Sequence, residues 1–129
     1  MSDSFLDSAH RHRSDAKHLA TDRRFQNAGH LIGFAAECLV KDILERASIT
    51  IDKASGFREH FPKLQTKVRM NGRTRVMRQL TPIVRGATFL HGWAAEGRYE
   101  HDISDSSAEK RFLSWVAEVD ALFRTAGIP

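Results

Sequence analysis

The sequence predicts an all-α domain, a four- or five-helix up-and-down bundle. Apolar residues recur three, four and seven positions apart in nearly every stretch, the spacing that places them on one face of a helix. One Tyr and three Pro in 129 residues are a poor supply for the strands and turns of a β-sandwich. The length is that of one domain, so residues 1–129 are expected to share a single core.

Phe5, Ala9, Ala16 and Leu19 form the stripe of a first helix, from about Ser4 to Asp22. Ala28, Leu31, Ala35, Leu39 and Ile43 continue the pattern over a second, from Phe25 to Ala47, with Glu37 and Lys41 as a favourable i, i+4 pair. Ser55-Gly56 marks the loop that follows. Pro62 suits the first turn of a short third helix with Leu64 and Val68 inward, and Asn71-Gly72 ends it. Val76, Leu80, Ile83, Ala87 and Leu90 predict a fourth helix from Arg73 to His91, which either kinks at Pro82 or starts afresh at Thr81-Pro82. Gly92 to Asp105 reads as loop or frayed helix. Ser106-x-x-Glu109 has the form of a capping box opening a last helix, whose stripe is Ala108, Phe112, Trp115, Val119 and Leu122 and whose end is Gly127.

Composition excludes several classes. Apolar residues are 41% and charged residues 28%, an ordinary globular mixture rather than a disordered one. The longest apolar run, Leu31 to Val40, is broken by Glu37 and falls far short of the ~20 residues of a membrane span. The first ten residues have neither the basic nor the apolar region of a secretory signal. A single cysteine, Cys38, allows no internal disulfide, and with no His-Glu-x-x-His pattern no metal or cofactor is expected. Cys38 itself reads as a small buried hydrophobe on the second helix. The expectation is a cytoplasmic protein without a membrane partner.

The charge is unevenly distributed. Arg58 to Arg85 holds eight basic residues (Arg58, Lys63, Lys67, Arg69, Arg73, Arg75, Arg78 and Arg85) against Glu59 alone, or +7 over 28 residues. From Glu96 to Asp120 seven acids face three basic residues, or −4. Arginine suits planar, bidentate contact with phosphate, so this stripe points to RNA or a nucleotide, with Arg78 among its contacts. The same stripe also suits a basic face covered by an acidic protein partner.

Residues 8–44 resemble the first helical hairpin of the HEPN family. The shared features are Asp15-Ala16 and Leu19 on one helix, then Ala28, Ala35-Ala36-Glu37, Leu39, Lys41 and Leu44 on the next. Downstream, His60-Phe61-Pro62-x-Leu64 resembles the entry to that family's third helix, and Trp93 with Arg98-Tyr99 resembles the end of its fourth. The resemblance spans nearly the whole chain in the right order. It implies a four- or five-helix bundle, usually a homodimer, in prokaryotic defence and toxin–antitoxin systems. Some members bind RNA or nucleotides and are encoded beside a small nucleotidyltransferase. Others are metal-independent endoribonucleases whose Arg and His, four to six residues apart, meet in the dimer cleft.

In that chemistry Arg steadies the scissile phosphate, and His moves a proton to or from the ribose or the leaving oxygen. Arg85 and His91 have the required spacing, with Gly86 after the arginine. Arg98 matches the family's arginine, but His101 follows it by only three positions, short of the family's spacing. These four are the candidate catalytic residues. Tyr99 is suited to stacking a base. His60 reads either as a ligand contact or as the N-cap of the third helix. Lys41 reads as a structural partner of Glu37, or as part of a ligand face lining a dimer cleft. Trp93 and Trp115 read as core or dimer anchors. Three functions follow: RNA or nucleotide binding, metal-free RNA cleavage, and service as a non-catalytic subunit of a two-component complex.

Overall fold

A computed structural model describes residues 4–52, 58–71, 78–86, 88–95 and 103–129, and among these the protein is an all-α bundle without strands. Five helices are described: α1 Phe5–Thr21, α2 Phe25–Arg46, α3 Lys63–Asn71, α4 Thr81–Arg85 and α5 Asp105–Thr125. No described helix is long and apolar enough to cross a membrane.

Helix α1 begins where Ser4 Oγ accepts the Asp7 amide at 3.1 Å, and Asp7 places a carboxylate in the positive first turn. Its fully buried residues are Ala9 and Ala16, seven apart and hence two turns apart, with Leu6 and Leu19 packed beside them. Small side chains at the contact let α1 lie close along α2. Arg23, in the left-handed region at φ 59°, turns the chain between them.

Helix α2 is the centre of the molecule. It packs against α1 and also against α5, so its buried set extends well beyond one stripe, from Phe25 and Ala28 to Ile43 and Leu44. Gly33 is part of this arrangement: a Cβ there would overlap the Trp93 indole. The indole donates from Nε1 to the Gly29 carbonyl at 2.9 Å, which satisfies its buried N–H. Trp93 and Trp115 are both buried, as core residues.

Pro62 precedes α3 and accepts the Thr66 amide through its carbonyl, while the bond from Phe61 to Pro62 is cis. Helix α4 starts afresh at Thr81-Pro82, with Pro82 in its first turn. It stops at Arg85, so the single helix expected from Arg73 to His91 does not form through its last turns. The end is sealed from outside. Buried Gln65 of α3 donates to the carbonyls of Ile83 at 3.3 Å and Gly86 at 2.9 Å, and Arg69 donates to Ile83 at 3.2 Å. These donors satisfy orphan carbonyls at a helix C-terminus, and the Arg charge is favourable there. Turns carry the chain through residues 88–92, with Leu90 at φ 52°.

Helix α5 begins two residues before the expected capping box. The cap is Ser104, extended at φ −71° and ψ 153°, whose hydroxyl accepts the Ser107 amide at 3.2 Å. Ser106 therefore lies inside the first turn. The expected stripe of Ala108, Phe112, Trp115, Val119 and Leu122 is buried, joined by Phe123. Gly127, at φ 77°, closes the helix: its amide bonds to the Arg124 carbonyl and that of Ile128 bonds to Phe123. From α1, Arg13 lies over the Phe123 ring at 4.3 Å and pairs with Asp120 at 2.8 Å, and Lys17 reaches the same carboxylate at 3.0 Å.

Candidate functional site

The sequence-predicted residues fall into three groups. Arg98, Tyr99 and His101 lie outside the described residues. Arg78, Arg85 and His91 are exposed. Arg85 is the last residue of α4, whereas His91 sits in the turn beyond Gly86, so no one helix carries the two. The His91 carbonyl accepts Trp115 Nε1 at 3.0 Å, and its ring lies in the field of Glu118, whose carboxyl burial pushes up. Lys41 and His60, 19 positions apart in the chain, are brought to one place.

What brings them together is Glu37. Because α2 is covered on two sides, the middle of the helix is buried, and Glu37 is only 3% exposed. Its carboxylate accepts the Phe61 amide on Oε1 and His60 Nδ1 on Oε2, each at 2.9 Å. Burial raises the Glu37 pKa, and the bonds from His60 and Phe61 with the Lys41 charge offset part of that rise. The His60 side chain remains 58% exposed. Phe34, one turn before Glu37, meets the His60 ring edge-on at 6.0 Å and the Trp93 ring at 5.2 Å. The imidazole is thus held by a carboxylate at one nitrogen and an aromatic ring at its side.

Lys41 lies one turn after Glu37 and is 9% exposed. Its Nζ donates to the Arg58 carbonyl at 3.4 Å, a long bond for an ammonium with three donors. Glu37 and Lys41 were expected to pair with each other. Both instead direct their charged ends to the segment 58–61, which they pin to α2. The N-cap expectation for His60 is likewise corrected: its carbonyl accepts the Leu64 amide, but its side chain turns to Glu37. Cys38 is half-buried, and burial, with the nearby Glu37, pushes its thiol pKa up, so it remains a thiol.

A second concavity lies between α2 and α5, lined by Phe25, His30, Trp93, Arg111 and Trp115. Its interior of about 30 Å³ suits a water rather than a base or sugar. Among the described residues no three His, Cys, Asp or Glu groups gather as a metal site. The Glu37–His60 cluster was legible only in part: Ala-Ala-Glu and His-Phe-Pro stand out in the sequence, but nothing in it joins them. Compared with family models, curated proteins and solved structures, the chain has no match.

Proposed function

We propose that this protein is an RNA- or nucleotide-binding helical domain of HEPN type, serving a prokaryotic defence or toxin–antitoxin-type system. The observation that carries the binding reading is the exposure of Arg58, Lys63, Lys67, Arg78 and Arg85 on α3, α4 and their flanks, with no carboxylate paired to them among the described residues. α3 and α4 pack together, which gathers these charges on one unit of the fold. Such a surface attracts a phosphate backbone and releases its counterions on contact. Lys41 and His60 adjoin this unit, since His60 stands three residues before Lys63. A homodimer and a small nucleotidyltransferase partner belong to the same reading.

Gel retardation of an RNA oligonucleotide in EDTA tests it. Binding is expected at low salt, with its logarithm falling linearly against log salt by roughly 0.7 per phosphate neutralised. The double variant Lys63→Glu, Lys67→Glu is expected to lose most of it while melting as the wild type does. Competition by mononucleotides separates a nucleotide site from an RNA site. Failure of the wild type to bind either at low salt overturns the proposal. Strand scission in EDTA, abolished in Arg85→Ala, His91→Ala or in Arg98→Ala, His101→Ala, moves the function to a metal-independent endoribonuclease.

A further inference from the structure

A purely structural hydrogen bond to Glu37 is already made by the Phe61 amide, with Phe61 itself buried. The His60 ring adds little burial, being 58% exposed, yet it is held at two points. Nδ1 lies 2.9 Å from a carboxylate whose other oxygen already accepts a backbone amide, and Phe34 abuts the ring edge-on. A carboxylate at Nδ1 selects the tautomer that carries its proton there. Nε2 is then left with a free lone pair, and it has no partner among the described residues. Lys41, nine-tenths buried and one turn after Glu37 on α2, makes a long bond to the Arg58 carbonyl. Arg58 and Lys63 flank the histidine in the chain, and both are exposed.

This is the arrangement of an activated nitrogen nucleophile: an exposed ring with one lone pair, an orienting carboxylate behind it, and cations two and three positions away in the chain. We infer that His60 is a phosphoryl-acceptor site, taking a phosphoryl group on Nε2 from an N-phosphoryl (phosphoramidate) donor. The Nε2 lone pair attacks phosphorus, the Nε2–P bond forms and the donor's P–N bond breaks. The leaving nitrogen departs with the bonding pair, as ammonia from the ammonio form of a phosphoramidate or as the neutral imidazole of a phosphohistidine protonated on its other ring nitrogen. The Nδ1 proton stays between the ring and Glu37, so the positive charge gained by the imidazole faces a carboxylate. Lys41 and the flanking cations offset the charge of the transferred group. Glu37 acts here as a positioning residue. An exposed ring admits a small phosphoramidate and equally a phosphohistidine presented by a second protein. The inference is independent of RNA binding.

The test is incubation of the full chain with potassium phosphoramidate, followed by intact mass and peptide mapping. One acid-labile, alkali-stable gain of about 80 Da is expected at His60, formed roughly tenfold faster than at any other histidine. His60→Gln is expected to lose this fast phase. Glu37→Gln, checked for native circular dichroism, is expected to slow it roughly tenfold and to shift its pH profile, and Lys41→Met to slow it less. A measurement on the wild type needs no variant to fold: long-range ¹H–¹⁵N spectra are expected to show neutral His60 as the Nδ1–H tautomer. Labelling spread evenly over the histidines, a wild-type rate in folded Glu37→Gln, or an Nε2–H tautomer each overturns the inference. Labelling of His60 by a protein that fails to retard RNA leaves it standing and removes only the binding proposal.

Discussion

Glu37 takes a carboxylate into a position 3% exposed, and the cost of that burial outweighs the help of its partners, since its pKa is raised. A carboxyl with a raised pKa binds protons more tightly in the folded state than in the unfolded one. Its contribution to stability is therefore fully present below the ordinary carboxylate range and is lost as pH rises through the raised folded value. Glu37→Gln removes this dependence while keeping an oxygen for the Phe61 amide. The stability of the variant relative to wild type is expected to increase from acid to neutral pH, as read by urea unfolding at several pH values. A constant difference contradicts the assignment. Gly33 makes a second prediction at this scale. Its Cβ position is occupied by the Trp93 indole, so Gly33→Ala must displace a buried ring and is expected to cost about 1–3 kcal/mol despite the better helix propensity of alanine. A stabilised variant in urea unfolding contradicts this packing.

Helices end here by different means, and each end is testable. At α5, Ser104 supplies the cap, so Ser104→Ala is expected to cost about 1 kcal/mol. Ser106→Ala, at the second residue of the helix, is expected to fall within about 0.5 kcal/mol of wild type. Equal losses in denaturant unfolding contradict the placement of the cap. Helix α4 depends on its neighbour. Gln65, 7% exposed, bridges the carbonyls of Ile83 and Gly86 from α3. Gln65→Leu leaves these carbonyls without that donor, at an expected cost of about 1–3 kcal/mol, and faster amide exchange is expected in 81–90 than in α1 or α2. The periodicity from Val76 to Leu90 could not show this break, because inward residues such as Leu80, Ile83 and Leu90 can be buried whether the backbone remains helical or turns. Leu80, Ile83 and Leu90 are all buried, yet α4 ends at Arg85. Glycine at 86 permits the exit, and the donors that make it stable come from α3, 14 to 21 positions earlier in the chain.

Across the whole molecule, α2 organises the fold. Packed against α1 and α5, and holding the segment 58–61 through Glu37 and Lys41, it links the hydrophobic core to the base of the basic unit on α3 and α4. Arg69 already spends its Nε on the Ile83 carbonyl, so its loss is expected to reduce stability as well as any RNA binding. Lys63, Lys67, Arg78 and Arg85 make no such described bond, and their replacement is expected to move binding and its salt slope with melting unchanged. Parallel gel-retardation titrations and thermal melts of Arg69→Ala and Lys67→Ala separate the two behaviours.

The sequence by itself determined the all-helical class, the extents of α1 and α2, the buried stripe of α5 and its glycine stop, and the one-sided charge of residues 58–85. Each depends on residues close together in the chain, through apolar spacing, capping chemistry or composition, and local physics is sufficient for these. Tertiary structure alone decided that α4 is short, that Trp93 enters the core against Gly29 and Gly33 of α2, and that Glu37 serves His60 rather than Lys41. These outcomes depend on groups many positions apart competing for the same buried donors and acceptors. Burial magnifies the penalty for every polar group left unsatisfied, so the partner that packing brings within reach prevails over the partner that helical spacing suggests.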